Sequence, residues 1–429
     1  MTHFTLLILA CLSVWVISQL PLVIAFVRQL RSAQSDLRKS LLHNARSFDP
    51  ETLPKAAIVL CLRGADPFLS KCIEALLNQN YPNYELQIVV DSITDPAWET
   101  LKQILPDPPL IPVHISILKS PRLTCGLKCS ALLQALSELP DDCEVVAFVD
   151  ADTLTHSTWL QELVLPLADP TVGLTTGNRW YMPIGTQWGS IARYLWNVAA
   201  SMQMYLYQIP WGGSFAFRRE RFEQANLQET WGNALTDDVV LYPLMRSLGL
   251  QIKFVPSLMM INRETCSLTS FLRWMRRQLL LAKLYHPAWW AMVVHSLFAA
   301  ILLIGLCAGI FAALLAGQAQ IGLWLTLGFT IYIACLGCLI GWIDLNVRQL
   351  VQTRSEPVPP LSGIAMIKTL VGIPIVQILG AVVILSTLLI KQVEWRGIVY
   401  QVKGAWAIRL LNYCSYDSLN QPINTKESL

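Results

Sequence analysis

The stretch 144–153, EVVAFVDADT, constrains this chain more than any other. Its apolar, β-branched centre, 145–149, is the pattern of a strand buried on both faces, as parallel sheets require. The run stops at two acidic residues separated by one position, Asp150 and Asp152. Open α/β sheets bind ligands outside the carboxyl ends of their strands, and these carboxylates fall there. Hard oxygen ligands in such a cleft suit Mg²⁺ or Mn²⁺ shared with a diphosphate, whose oxygens complete the shell. A purely structural role would also account for the pair, with Asp150 capping the next helix and Asp152 solvated.

Composition places part of the chain in lipid. Of the 429 residues, 54% are hydrophobic and only 14% charged, whereas a soluble enzyme carries about 25% charge. The net charge of +3, with no basic run interleaved with aromatics, argues against a nucleic-acid partner. Eleven cysteines, several in apolar runs (Cys11, Cys307, Cys335, Cys338), fit reduced thiols better than a disulfide framework. Residues 4–27 make an apolar run long enough to span a bilayer. Arg28, Arg31, Arg38, Lys39 and Arg46 follow it and no basic segment precedes it. It reads as a retained anchor with its C-terminal flank in the cytosol.

Three further spans are predicted at 289–315, 321–343 and 364–390, the last containing Lys368 and Pro374. The loop with Arg348, Arg354 and SEPVPP belongs on the cytosolic side. If all four spans cross, Lys391, Arg396, Lys403 and Arg409 oppose the positive-inside trend. A re-entrant or interfacial course for 364–390 removes the conflict. The sequence leaves both open.

Between the anchor and these spans the pattern alternates short strands with helices. Strands are predicted at 57–62, 86–90, 113–118 and 145–149, and helices at 70–79, from Pro96, and at 127–139. The βαβα order predicts a mostly parallel α/β sheet with a Rossmann-like front half. Asp91 closes one strand and Asp150 another, so both face one edge of the sheet. Lys128, near a helix start, is placed either to meet phosphate or to be a surface charge. Farther on, Thr236-Asp237-Asp238 opens a predicted helix over 239–248. Thr236 or Asp237 serves as its N-cap, which leaves one acid over for chemistry. Residues 267–285 form an amphipathic helix. Phe271, Leu272, Met275, Leu279 and Ala282 share one face and Arg273, Arg276, Arg277 and Lys283 the other. It suits a membrane interface or an ordinary packed surface.

Together these residues resemble a known signature. Asp91, Asp150-x-Asp152, Asp238 and Arg273-Trp274 match the D, DxD, (E/D)D and (Q/R)xxRW pattern of family-two-like membrane glycosyltransferases with the GT-A fold. The chain is most similar to their ceramide glucosyltransferase branch. Local wording agrees at Arg63-Gly64-Ala65-Asp66, Asn80-Tyr81-Pro82, Val90-Asp91-Ser92-Ile93-Thr94-Asp95 and 395–400, WRGIVY. One position departs, because Ser270 stands where the pattern has Gln or Arg. Arg276, Arg277 or Gln278, one turn on, are the candidates to replace it.

The resemblance implies a division of the chain. An anchor (1–28) precedes a basic juxtamembrane linker (29–54) and a GT-A catalytic domain (55–266). An interfacial helix carrying the RW motif (267–286), transmembrane helices (287–390) and a C-terminal tail (391–429) complete it. It also implies roles. Asp91 contacts the uridine of a UDP-sugar, Asp150 the ribose or metal, and Asp152 a divalent Mn²⁺ or Mg²⁺ bridging the diphosphate. Asp238 is the general base, Asp237 a supporting or capping residue, and Arg273 and Trp274 meet diphosphate and acceptor. Arg63 and Lys128 join the substrate-binding set. The implied activity is inverting transfer of a hexose, glucose in that branch, to a lipid hydroxyl such as that of ceramide, with the catalytic domain in the cytosol. The membrane is a plasma, inner or endomembrane. Alternatives are a processive polysaccharide synthase, a polyprenyl-phosphate glycosyltransferase and, outside the enzymes, a non-catalytic membrane scaffold.

Overall fold

The computed structural model describes residues 2–43, 53–106 and 108–416. Its centre is a seven-stranded sheet. The front half runs β1 (Ala56–Leu62), α2 (Leu69–Leu77), β2 (Tyr84–Val90), α3 (Pro96–Ile104), β3 (Val113–Ile117), α4 (Leu127–Ser137) and β4 (Val145–Val149), after the N-terminal helix α1 (Thr2–His43). Every residue of β2 and β4 is buried, as the unbroken apolar run of β4 requires of a strand covered on both faces. Asp95 caps α3 by accepting from the amide of Ala97, with Pro96 in the first turn.

The back half continues with α5 (Trp159–Val164), β5 (Val172–Tyr181), α6 (Trp188–Tyr207), β6 (Ser214–Arg218), α7 (Arg219–Gln224), α8 (Leu227–Gly232), α9 (Leu241–Ser247) and β7 (Gln251–Asn262). The strand order is β3-β2-β1-β4-β6-β5-β7. β6 runs antiparallel to both its neighbours, and the other pairings are parallel. This is the mostly parallel, Rossmann-like GT-A sheet expected. The order reverses between β1 and β4, which opens a crevice at their carboxyl ends.

Among the described residues, four helices are long and apolar enough to cross a membrane: α1, α11 (Trp289–Leu315), α12 (Ala319–Thr353) and α13 (Gly363–Ser386). The expected linker 29–54 is helical as far as His43, because α1 continues unbroken past its apolar run. Residues 44–52 of that linker, including Arg46, lie outside the described residues. At 1.5 Å per residue α1 is about 63 Å long, roughly twice a hydrocarbon core. Its C-terminal half therefore projects beyond the lipid beside the matching end of α12. There Arg31 Nε donates to Asn346 Oδ1 (2.8 Å) and Gln34 Nε2 to the carbonyl of Gln349 (3.0 Å). Arg354, just past α12, pairs with Glu162 of α5 (2.7 Å) and ties that end to the catalytic body.

The amphipathic helix α10 (Leu268–Tyr285) does not lie with one side free. It packs against α6 and α13, because Phe271 and Met275 need cover on one side while other residues of the same helix line an internal cavity.

α13 bears on the charge conflict. Near its start, Lys368 donates to the carbonyl of Thr186 (2.7 Å). Just past its other end, Lys283 of α10 donates to the carbonyl of Thr387 (2.8 Å). Ile384 packs with Ala282 and Trp289, at the start of α11. One end of α13 therefore rests on the loop after β5 and the other on α10 and the start of α11, while Ile364, Ile367, Val371, Ile375 and Val382 face outward. Between its ends the helix packs against α6, α10, α11 and α12.

The segment after α13 is no loose tail. It folds as a second, antiparallel sheet of β8 (Gln392–Trp395), β9 (Ile398–Gly404) and β10 (Ala407–Asn412). Ile398, Tyr400, Val402, Ile408 and Leu410 bury their side chains in the same core as α4 and α8. Residues 417–429 of the tail lie outside the described residues. Cysteines introduced singly at exposed Ser157 and at exposed Ser415, with Cys414 replaced, should react with an impermeant reagent from the same side of sealed membranes. Labelling from opposite sides would mean that α13 crosses.

Candidate active site

Three strand ends build one wall of the site. Arg63 follows β1, Asp91 follows β2, and Asp150 and Asp152 follow β4, so the parallel register delivers all four to one edge. With Lys128, Asp237, Asp238, Arg179 and Trp274 they line a single cavity of about 300 Å³. The sequence-predicted residues thus converge, with the exception of one on α10.

The loop carrying Asp237 and Asp238 is pressed onto the start of α4. The amide of Gly126 donates to the carbonyl of Ala234 (2.8 Å), and a Cβ at Gly126 would lie 2.3 Å from the carbonyl oxygen of Leu235. Only glycine permits that approach. It brings Lys128, at the second position of α4, between two acids, 2.7 Å from Asp150 Oδ1 and 2.7 Å from Asp237 Oδ2. Lys128 is therefore neither a surface charge nor free for phosphate. Burial opposes its charge, but Asp150 and Asp237 hold its pKa well above the ordinary lysine value. Asp150 feels the reverse. Burial raises its pKa, and Lys128 and Arg179 outweigh that and bring it below the usual carboxylate range.

Asp237 and Asp238 exchange the structural roles expected of them. The helix begins at Leu241, not at 239, and no side chain caps it. Asp238 is the acid bound into the turn. Its Oδ1 accepts from the Thr236 hydroxyl (2.7 Å) and the Val239 amide (2.6 Å), and its Oδ2 from the Gly212 amide (2.9 Å). Asp237 is buried, and that burial pushes its pKa up to about 7, against the pull of Lys128. The ammonium is close to Oδ2 yet off the line of a hydrogen bond, so that oxygen has no aligned donor among the described residues.

Arg179, on β5, is a site residue that the sequence did not reveal. Its Nη2 lies 2.7 Å from Asp152 Oδ1 and 3.6 Å from Asp150 Oδ2. Its guanidinium stacks 4.9 Å from the Trp211 ring. Burial and the nearby Asp150 carboxylate raise the pKa of Asp152, and Arg179 counters them. One cationic nitrogen thus lies between the two carboxylates of the D-x-D motif, the place and charge that a divalent ion would take. Among the described residues no group of three His, Cys, Asp or Glu converges on a metal position. Two carboxylates fit an ion that draws its remaining ligands from a bound diphosphate and water.

Asp91 is 4% exposed and held on several sides. Arg63 pairs with it, the Tyr413 hydroxyl donates to Oδ1 (3.1 Å) and the Tyr416 amide donates to Oδ2 (3.2 Å). Both tyrosines come from the segment after β10, inside the stretch whose pattern predicts only a tail.

On α10 the exception appears. Trp274 lines the cavity, but Arg273 is exposed and does not. The two arginines are four residues apart and share a face, so position along the helix separates them, and Arg277, one turn on, reaches the cavity. Arg277 stacks over the Trp395 ring (5.3 Å), and burial and the charge of Arg396 lower its pKa to about 10. Ser270 is 2% exposed and sits in the cap of the helix, bonded to the Ser267 hydroxyl.

A family profile for glycosyl transferase family 21 matches residues 13–407. The chain belongs to glycosyl transferase family 21. As a family 21 chain it is a glycosyltransferase. No curated protein matches it. Among solved structures it is similar to a mannosyltransferase from Pyrobaculum calidifontis in complex with GDP-Man and Mn²⁺. That match has 16% identity and a TM-score of 0.48 over 80% of this chain and 99% of that one. A second is glucosyl-3-phosphoglycerate synthase from Mycobacterium tuberculosis in complex with Mn²⁺, UDP and glucosyl-3-phosphoglycerate. There the identity is 17% and the TM-score 0.34 over 52% of this chain and 76% of that one.

The packing at Ser270 predicts how the family 21 chain answers a return to the signature. Ser270→Gln should overpack the helix cap and cost about 1–3 kcal/mol of stability, read as a lower melting temperature, without improving turnover. Arg277→Gln should leave the melting temperature near that of the parent and raise the donor KM. Higher activity in the Ser270 variant would show that Arg277 does not replace the missing group.

Proposed function

We propose that the chain transfers a hexose from a UDP-sugar to the hydroxyl of a membrane lipid, with inversion at the anomeric carbon. The observation that carries this reading is the shape of the cavity. One end holds the acids and arginines. The other is apolar, lined by Trp196, Ala200 and Met204 of α6, Leu279 and Ala282 of α10, and Met292 of α11. α11 is long and apolar enough to cross a membrane, so the apolar limb meets the site from the lipid side. A nucleotide suits the charged end and an acyl chain the other.

The proposed roles follow from the geometry. Asp91 and Arg63 face the nucleoside end, at the crevice beside β1. Arg277 meets the diphosphate, while Lys128 keeps Asp150 ionised. Asp150 and Asp152 would hold Mn²⁺ or Mg²⁺, which when bound offsets the charge of the leaving diphosphate. Asp238 is the more open of the adjacent acids, and three donors fix its carboxylate toward one orientation. It takes the proton of the acceptor hydroxyl as that oxygen attacks the anomeric carbon. The bond to the diphosphate breaks on the opposite face, and no covalent intermediate is needed. Asp237 balances Lys128. Trp274 is placed between the charged end and the apolar limb to pack against sugar or acceptor.

Sidedness rests on charge as well. Arg28, Arg31 and Arg38 near the end of α1, and Arg348 and Arg354 near the end of α12, mark the catalytic side as cytosolic. In this reading 55–266 is the catalytic domain and 267–286 the interfacial helix.

The test uses membranes with labelled UDP-glucose and UDP-galactose, followed by mass identification of the labelled lipid. Asp238→Asn should bind UDP almost normally while transfer falls about 10²- to 10⁴-fold. Asp237→Asn should retain appreciable turnover, and the reverse ranking would move the base by one residue. Ala200→Trp should block the apolar limb, so that UDP still binds and lipid labelling stops. Label appearing only in water-soluble polymer, unaffected by Ala200→Trp, would rule out the lipid acceptor.

A further inference from the structure

The β8–β9 hairpin enters the cavity at its charged end. Its turn residues, Arg396 (φ 46°) and Gly397 (φ 76°), are both left-handed, and Trp395 pairs with Ile398 across them. This is the geometry of a tight two-residue hairpin, which favours Asn, Asp or Gly at both positions. Arginine at the first is strained there, and such strain persists where the surroundings hold it for a use.

The side chain shows what holds it. Arg396 Nη2 lies 2.8 and 2.9 Å from the two Asp66 carboxylate oxygens, a two-point clamp, and Nη1 donates to the carbonyl of Arg63. Arg63 answers. Its Nε donates to the carbonyl of Arg396 (3.1 Å), its Nη2 to that of Cys414 (3.0 Å), and its Nη1 pairs with Asp91. Arg63, Asp66, Asp91 and Arg396 all line the cavity. Each link is charged, directional and at the rim of the crevice.

We propose that this hairpin is a wall of the donor site and that Arg396 is a positioning residue for a nucleoside diphosphate. By clamping Asp66 and the backbone of Arg63 it fixes the loop after β1, and through Arg63 it orients Asp91. This rests on the nucleotide-sugar reading of the same cavity. The hairpin is fastened independently of the ligand. The Leu410 amide donates to the carbonyl of Leu123 (2.8 Å), the Leu127 amide to the Tyr400 hydroxyl (3.1 Å), and the Tyr285 hydroxyl to the carbonyl of Ala405 (2.7 Å). Loss of the Arg396 clamp therefore leaves the sheet seated while the loop it orders is released. A donor-binding defect with little change in the chemical step is the signature of such a role.

The test uses the purified full chain in detergent with UDP and Mn²⁺, read by calorimetric binding, donor kinetics and melting temperature. Arg396→Ala should raise the UDP dissociation constant and donor KM about tenfold or more while kcat changes far less. Arg396→Lys, which keeps one charged nitrogen for Asp66 but loses the second that holds the Arg63 carbonyl, should recover only part of the affinity. Asp66→Asn opens the same clamp from the other side and should give the same KM-weighted defect if Arg396→Ala does not purify. UDP affinity and donor KM unchanged in these variants, with only the melting temperature lowered, would reduce the clamp to a fold tie and overturn the proposal. Wild-type protein that binds no UDP would instead overturn the donor reading itself.

Discussion

The rest of the site depends on one half-buried cation. Asp66, Asp91, Asp150, Asp152, Asp237 and Asp238 line a single cavity, and carboxylates that close cannot all stay ionised unless positive charge is set among them. Lys128 sits between Asp150, at the end of β4, and Asp237, on the loop before α9, and so links two parts of the chain far apart in sequence. Removing it would leave two acids facing each other in a partly dry pocket, a costlier arrangement than losing the pair altogether. Its position is in turn fixed by the glycine that lets the 234–236 backbone touch α4. Sterics place the lysine, and the lysine then assigns the charge states.

Arg179 and Arg63 repeat the device at the neighbouring acids, and the three cations together make the pocket electrostatically self-consistent without ligand. Such a site is preorganised. A diphosphate brings its own negative charge, so it favours cations that can turn from carboxylate to phosphate. Of the arginines at the cavity, Arg277 has its guanidinium against a tryptophan ring, and Arg179 has one carboxylate at 2.7 Å and another at 3.6 Å. Arg63 and Arg396 are locked into each other and into Asp91 and Asp66. The charged end thus divides into a rigid rim and a responsive floor, which suits recognition of an invariant nucleotide beside a group that departs.

Much of this was legible in the sequence, for definite reasons. The front half of the sheet announces itself because β1, β2 and β4 are buried on both faces and have no need to alternate. β4 falls where its apolar run does, and Asp91, Asp150 and Asp152 follow from the strand ends. The helix face of α10 was half legible. The RW motif marks the right helix, but position along its axis decides which arginine reaches the cavity, and Arg277 lines it where Arg273 was read to do so. The assignment of Asp237 as the cap failed because the helix starts two residues later than its pattern suggests, which hands the turn's amides to Asp238. Arg179 carried no signal at all: a single arginine on a strand, 27 residues from its partner Asp152, looks like any other. The C-terminal sheet was hidden for a related reason. Its strands are short and half polar, and their burial comes from α4 and α8, which lie far earlier in the chain.

The membrane elements and the site share more than a chain. α10 presents one face to the cavity and another to α6 and α13, so the wall of the apolar limb is made from the same helices that face lipid. α13 has one end on the loop after β5 and the other on α10 and the start of α11, and a course that returns the chain to the side from which it came lets the C-terminal hairpin reach Asp66 and Arg63. Had α13 crossed, that hairpin would be separated from the loop it clamps by the thickness of the bilayer. The course of one apolar helix therefore decides whether the charged end of the cavity has its outer wall. Length and hydropathy alone do not distinguish the two courses. The contacts of Lys368 with Thr186 and of Lys283 with Thr387 favour the course that stays on one side, because they hold one end of α13 to the loop after β5 and the other to α10.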